Sequence, residues 1–142
     1  IQASLGVSQL KRIKLIVDKR HAVGKKYFEK LKDNPNIYIP ETSRSYAKNI
    51  YWVIAIVITN KGLKIDAKTL MKKLLNYGIQ TRPFFWPMHK QKILKDKYII
   101  DKKENYKNSE YISKYGLYLP SSLDIKNDEI EFICKTVNIL LK

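Results

Sequence analysis

The stretch that decides the fold runs from Ile50 to Thr59 and reads IYWVIAIVIT. It is rich in β-branched and aromatic residues, which predicts a strand. Because nearly every position is apolar, we expect both faces of this strand to be covered. The turn residues Asn60-Lys61-Gly62 follow it directly. A strand covered on both faces needs helices or a second sheet packed against it.

On the N-terminal side, apolar residues recur at three- and four-residue steps from Ile1 to Leu31. This spacing predicts one helix of about thirty residues, which turn residues at 33–36 then end. A helix of this length is typical of a segment that spans two bodies or serves as the backbone of one domain. A short strand at Ile37 to Ile39 and a polar loop from Glu41 to Asn49 lead into the central strand.

On the C-terminal side, Asp66 is a good N-cap for a helix from Ala67 to Tyr77, and Gly78 is the expected C-cap. The next segment, Ile79 to Phe85, reads as a strand. Its proline, Pro83, cannot donate a hydrogen bond, so the strand is expected at the edge of a sheet or leaving it.

The last third of the chain opens with a Lys-rich, irregular surface excursion from Trp86 to Asn108. A short helix from Ser109 to Tyr115 and a strand from Leu117 to Leu119 follow. Asn127 or Asp128 is the expected N-cap of a last helix that runs through Leu141. The order is α-β-β-α-β-(α)-β-α. It predicts an α/β (α+β) domain with one small mixed or antiparallel sheet covered by helices.

Composition narrows the class of protein. With 142 residues, 44% of them hydrophobic, the chain fits one soluble domain. The single cysteine, Cys134, excludes an intrachain disulfide and, with only two histidines, a cysteine-based zinc site. We therefore expect no metal site. No apolar run approaches the roughly 20 residues of a membrane helix, and we expect a cytoplasmic protein. The chain begins at Ile1 within a helical pattern, which indicates a piece of a longer protein.

The net charge of +15 is compatible with binding to nucleic acid or another polyanion. However, only four of the 28 cationic residues are arginines, and the lysines are spread along the whole chain. Arginine is the residue favoured for phosphate and base recognition. Lys, Ile and Asn also share AT-rich codons, so genome composition is the simpler cause. Nucleic acid is thus not the partner we expect, but a stand-alone basic module that binds it stays as the alternative.

The segment from Thr81 to Gln91 carries most of the chemistry in the chain. It places Arg82, His89, two prolines and three aromatic residues close together. Rigid prolines can hold a loop that directs polar groups at a ligand. Arg82 could bind a phosphate or carboxylate, and His89 could donate a hydrogen bond or act as acid or base. The alternative from the residues alone is a strand end packed by aromatic rings, with Arg82 in a salt bridge and His89 in solvent.

Several segments, in order along the chain, resemble the DegT/DnrJ-type sugar aminotransferases. Ile1 to Leu10 is similar to the family's IQAALGLAQL, and Asn49 to Trp52 to its nvYW. The segment Gly78 to His89 is close to GI-x-TRPFF-x-P-(L/M)-H, most like the perosamine-synthase-like branch, and Tyr115 to Ser121 resembles GL-x-LPS. The Lys19-Arg20 pair and the closing helix also match the family's pattern.

The resemblance implies a pyridoxal phosphate (PLP) enzyme of aspartate-aminotransferase fold. In that family the Schiff-base lysine and the cofactor-binding Asp lie in a large N-terminal domain, and neither is matched here. The chain is then the small C-terminal domain, with 1–33 as the connecting helix and 37–142 as the small α/β domain. The absent partners would be the large PLP-binding domain and a second subunit of a homodimer. We expect no catalytic residue and no bound PLP in this chain alone.

The resemblance also implies the substrate and the residues that contact it. The whole enzyme would move an amino group from glutamate to a GDP- or UDP-linked 4-keto-6-deoxyhexose, for lipopolysaccharide or other surface glycans. Carried over by position, Arg82 and His89 become substrate-binding residues, and Phe85 and Trp86 shape the pocket. Lys92 departs from the family pattern, which often has Pro there. A third possibility is a regulatory remnant that dimerises with a complete aminotransferase.

Overall fold

The computed structural model of the protein describes residues 1–59, 61–96 and 105–142. The predicted turn residue Asn60 and the part of the predicted surface excursion at 97–104 lie outside these ranges. The described helices are α1 (Gln2–Leu10), α2 (Ile13–Leu31), α3 (Ala67–Leu75), α4 (Lys92–Asp96), α5 (Lys107–Tyr115) and α6 (Asn127–Leu140). The strands are β1 (Ile37–Tyr38), β2 (Ser43–Arg44), β3 (Ala47–Lys48), β4 (Ile54–Ile58), β5 (Arg82–Pro83) and β6 (Gly116–Leu119).

Four strands form one sheet in the order β1-β4-β6-β5, with every neighbouring pair antiparallel. The strand β5, which carries Pro83, lies at the edge as predicted. The polar loop predicted from Glu41 to Asn49 contains a small separate hairpin, β2 with β3. The predicted fold class, a small helix-covered sheet, is confirmed.

One face of the sheet forms the core. Ile54, Ile56 and Ile58 alternate along β4 and are buried, and Leu117 and Leu119 of β6 lie beside them. Helices α2, α3 and α6 supply the other half of this core, and their buried side chains are Tyr27, Leu31, Ala67, Leu70, Leu74, Ile130, Ile133, Cys134 and Val137. The opposite face of the sheet carries Ala55, Val57 and Tyr118, and it is the face of interest for function.

Three elements differ from their predicted lengths. The strand predicted from Ile79 to Phe85 is one of them, since β5 covers only Arg82–Pro83. The predicted helix over Ile1 to Leu31 is divided at Lys11 and Arg12, where the amide of Arg12 bonds the carbonyl of Gln9 at 3.0 Å, one residue tighter than α-helical pairing. Helix α1 has no buried residue, so no packing holds it in line with α2. The central strand covers only 54–58, because Tyr51 adopts a φ of 50° and turns the chain before β4 begins.

The ends of α3 follow the predicted capping. The Asp66 carboxylate accepts a hydrogen bond from the amide of Thr69 at 2.8 Å. At the other end Gly78 has a φ of 74°, and the amide of Ile79 bonds the carbonyl of Leu74 at 3.0 Å, which closes a Schellman motif. The final helix is capped differently, since Lys126 occupies its N-cap and its amide bonds the Glu129 carboxylate at 2.7 Å.

Asp66→Ala should lower the free energy of unfolding by about 1 kcal/mol at neutral pH, the usual cost of removing an N-cap. Hydrogen bonding to Thr69 lowers the pKa of the Asp66 carboxyl below its ordinary 3.8. This contribution is therefore complete above the ordinary pKa and is lost as the pH falls through the lower native value. Urea unfolding at about pH 6 and about pH 2.5 measures both parts. Asp66→Asn is the control, because asparagine keeps the cap without the titration; an equal loss in both variants would contradict the assignment.

Candidate functional site

The candidate site lies on the outer face of the sheet, where β5 and β6 pair. Arg82 lies opposite Tyr118 in this pair, so both side chains belong to the same face. The amide of Phe84 continues the pairing to the carbonyl of Gly116 at 3.3 Å. A side chain at Gly116 would overlap the ring of Phe84, so glycine is required there for that ring to lie flat on the strand.

Four aromatic rings gather on this face, and we call them the aromatic platform: Trp52, Phe84, Phe85 and Tyr118. The rings of Phe84 and Tyr118 stack with centroids 4.6 Å apart. Phe85 meets Tyr118 edge-on at 6.1 Å and lies nearly parallel to Trp52 at 6.3 Å, with 19° between the two ring planes. Partial burial in the platform raises the pKa of the Tyr118 hydroxyl, so this group stays protonated at neutral pH.

Arg82 is exposed at the edge of this face. Among the side chains that the structure describes, no carboxylate pairs with its guanidinium and no hydrogen bond engages it. The salt bridge that the sequence left open for Arg82 is therefore not formed to any described residue. A free guanidinium beside exposed aromatic rings can bind a phosphate or carboxylate through two parallel hydrogen bonds.

His89 lies in a second group of contacts, against α5. Its Nε2 atom lies 3.0 Å from Oε1 of Glu110, and its ring stacks on Tyr106 at 4.4 Å. The same carboxylate meets the ammonium of Lys90 at 3.2 Å. Hydrogen bonds from His89, which has the larger effect, and from Lys90 hold the pKa of the Glu110 carboxyl below its ordinary value. His89 is thus bound by the Glu110 carboxylate and is not free in solvent, which was the alternative that the sequence allowed.

Trp86 also belongs to this second group. Its ring lies under the Lys90 ammonium, 5.9 Å from the ring centroid, and lines a cleft of about 470 Å³ with residues of α5. These contacts therefore divide the four predicted residues into two pairs. Arg82 and Phe85 lie on the platform face, whereas Trp86 and His89 contact the segment that leads into α5 and α5 itself.

Sequence reasoning missed three members of the platform, namely Trp52, Phe84 and Tyr118. A usable signal existed for Tyr118, because it lies between Leu117 and Leu119 and alternation along a strand directs it away from their face. No comparable signal existed for Trp52, since it lies in a turn that the sequence pattern assigned to a strand.

The described residues do not fit a PLP site by themselves. A Schiff base with PLP needs a buried amine with a lowered pKa. Every lysine whose side chain is described is exposed or half-buried. The buried thiol of Cys134 is no substitute nucleophile, because burial raises its pKa to about 12. Among the described residues, no group of three or more His, Cys, Asp or Glu side chains could hold a metal ion, and no helix is long and apolar enough to cross a membrane.

The profile of the DegT/DnrJ/EryC1/StrS aminotransferase family matches residues 1–138 of the chain. The chain belongs to this family. The GDP-perosamine synthase of Vibrio cholerae is 26% identical to it over 135 residues, which is 95% of this chain and 35% of that protein. The chain thus spans about a third of the length of the curated relatives it matches.

Solved structures of sugar-modifying enzymes share the fold. PseC of Helicobacter pylori, an aminotransferase involved in the biosynthesis of pseudoaminic acid, superimposes with a TM-score of 0.84 at 20% identity, over 99% of this chain and 36% of its own. The E. coli GDP-4-keto-6-deoxy-D-mannose-3-dehydratase, solved with bound hydrated PLP, gives a TM-score of 0.73 at 22% identity, over 96% of this chain and 33% of its own. The aminotransferase fold predicted from the sequence is confirmed, and this fold occurs with more than one reaction.

Proposed function

We propose that this chain is the C-terminal small domain of a PLP-dependent nucleotide-sugar aminotransferase. The whole enzyme moves an amino group from glutamate to a GDP- or UDP-linked 4-keto-6-deoxyhexose, in the cytoplasm, for lipopolysaccharide or other surface polysaccharide synthesis. Two findings support the proposal: the family match over nearly the whole chain and the GDP-perosamine synthases among the relatives. The observation that carries it is the free guanidinium of Arg82 beside exposed aromatic rings.

In this proposal Arg82 binds the diphosphate of the nucleotide-sugar, which carries the negative charge that a free guanidinium complements. The exposed ring of Phe85 covers one side of the ligand and excludes water from it. His89 contributes a hydrogen bond through Nδ1, since Nε2 faces Glu110. Trp86 shapes the neighbouring cleft, and Glu110 fixes the segment by holding both His89 and Lys90.

The proposed partners are a large PLP-binding domain and a second subunit of a homodimer. PLP, when bound to the large domain, supplies the electron sink for transamination. The exposed apolar side chains of α1 and the start of α2, among them Leu5, Leu10 and Ile13, would be covered by that domain. Exposed apolar side chains clustered on one element are typical of an interaction surface.

The test is a half-transamination assay with PLP and glutamate, followed by the change of absorbance as pyridoxal is converted to pyridoxamine. Residues 1–142 alone should give no change, because no described lysine has the burial that a Schiff base requires. The polypeptide encoded by the complete reading frame that contains this segment should give the full change. Conversion by 1–142 alone, or none by the complete product, would contradict the proposed function.

A further inference from the structure

A short turn, 49–53, brings the chain into β4 and has an unusual backbone. Tyr51 has a φ of 50°, a conformation that bulky residues rarely adopt. Its amide donates to Oδ1 of Asn49 at 2.8 Å. Arg20 of α2 donates through Nη1 to the carbonyl oxygens of Tyr51 at 3.2 Å and Trp52 at 3.0 Å. The strained conformation is thus held in place by several independent contacts.

The turn buries one of two adjacent aromatic side chains and exposes the other. Tyr51 is directed inward against Gly24 of α2 and is only 5% exposed, whereas Trp52 is directed outward and is 61% exposed. Phe85, the parallel neighbour of Trp52, is 69% exposed. Backbone strain that is maintained by its surroundings is typical of ligand-binding positions. In this protein the strained turn keeps the indole of Trp52 exposed to solvent next to the predicted substrate-binding segment.

The chemistry of this surface fits one class of ligand. Flat, exposed aromatic rings stack on nucleobases without requiring a particular base. Arg82, which has no partner among the described residues, provides a cation on the same sheet face, since it pairs across β5 and β6 with the platform residue Tyr118. A molecule with a planar aromatic group joined to a diphosphate complements both features, and the net charge of +15 favours such an anion.

We propose that Trp52 is a substrate-binding residue whose indole, together with the ring of Phe85, stacks on the nucleobase of a nucleoside diphosphate. Arg82 binds the phosphates of the same molecule. Arg20 does not touch the ligand; it is a positioning residue that holds the carbonyl of Trp52 and so the indole. This inference rests on the proposed function for the choice of a nucleotide, but it concerns only binding by residues on this chain.

The test titrates residues 1–142 with GDP, UDP and inorganic pyrophosphate at low salt, by calorimetry and by NMR of the two tryptophan indole N–H signals. We expect GDP to bind more tightly than pyrophosphate and to shift the Trp52 signal. Trp52→Ala should weaken GDP binding about 5- to 100-fold and leave pyrophosphate binding unchanged. Arg82→Ala should weaken both. Arg20→Ala should weaken GDP binding alone, because it removes both hydrogen bonds that Nη1 donates to the carbonyl oxygens of Tyr51 and Trp52.

Tyr77→Ala is the matched control, since Tyr77 is an aromatic residue of 50% exposure near the end of α3. It should leave the binding of all three ligands unchanged. Equal affinity for GDP and pyrophosphate, or no binding of GDP, would overturn the inference. So would an indole signal of Trp52 that moves on dilution of the protein alone, because the platform would then be an interface between copies.

The inference and the proposed function can fail separately. GDP binding that depends on Trp52, combined with no transamination by the complete polypeptide, would keep the inference and reject the aminotransferase. Transamination by the complete polypeptide with GDP binding insensitive to Trp52→Ala would do the reverse.

Discussion

Tyr27→Ala is expected to lower the free energy of unfolding by about 4 kcal/mol, the usual cost of truncating a fully buried aromatic side chain. The ring of Tyr27 is fully buried between α2 and the rest of the core. Its hydroxyl donates a 2.8 Å hydrogen bond to the carbonyl of Pro120, which follows β6. Burial raises the pKa of this hydroxyl, so the donor stays protonated. The alanine variant would lose both the packing of the ring and the hydrogen bond that joins α2 to the residue after β6.

Two further variants separate these contributions in urea unfolding experiments. Tyr27→Phe keeps the ring and should cost about 1 kcal/mol, the price of one buried hydrogen bond. Tyr46→Ala removes a tyrosine that is 82% exposed in the β2–β3 hairpin, and it should change stability by less than about 0.5 kcal/mol. If Tyr27→Ala cost no more than Tyr46→Ala, helix α2 would not be docked on the sheet in solution.

Gly24→Ala is expected to destabilise the protein by about 3 kcal/mol, although alanine is the better helix former. A Cβ atom at this position in α2 would overlap the ring of Tyr51, which lies directly on the helix. That ring is fixed by the turn that Arg20 and Asn49 hold, so it cannot move aside without breaking those hydrogen bonds. Thermal or urea unfolding measures the change.

Gly6→Ala is the matched control, because Gly6 is also helical and no atom lies within 4 Å of a Cβ placed there. It should raise stability by about 0.5 to 1 kcal/mol or leave it unchanged if α1 frays. In the double variant Gly24→Ala with Tyr51→Ala, the cost of the glycine substitution should largely disappear. A stabilising effect of Gly24→Ala alone would show that Tyr51 does not pack on α2.

The Gly24 and Tyr51 contact also links stability to the proposed ligand site. The same turn that places the Tyr51 ring on α2 directs Trp52 toward Phe85. Helix α2 therefore contributes to the candidate site, since Arg20 and Gly24 together shape the turn that presents the indole. A substitution at Gly24 that still allows folding should displace Trp52, and with it the proposed nucleobase contact.

Much of the fold could be predicted from local patterns. Asp66 and Gly78 marked the ends of α3 because capping depends on the residues at the helix ends alone. Pro83 marked an edge strand because a proline cannot donate to a neighbouring strand.

The patterns were less informative where the cause was not local. Apolar residues at 50–53 continue the pattern of β4, yet Tyr51 is buried against α2 and Trp52 is exposed beside Phe85. The sequence pattern does not distinguish an apolar residue that is buried in the core from one that is exposed on the surface. The division of the predicted long helix at Lys11 and Arg12 was hidden in the same way, because the apolar spacing continues through it.

By itself the sequence determined the class of fold and the family resemblance, and it named Arg82 and Phe85 as candidate binding residues, because these depend on residue types at fixed spacings. Only the tertiary structure decided that Trp52 and Tyr118 join Phe85 on one face and that His89 is held by Glu110. Those pairs are 33, 33 and 21 residues apart along the chain. Contacts of that kind are set by the pairing of β4, β5 and β6 and by the turn held by Arg20, which no local pattern encodes.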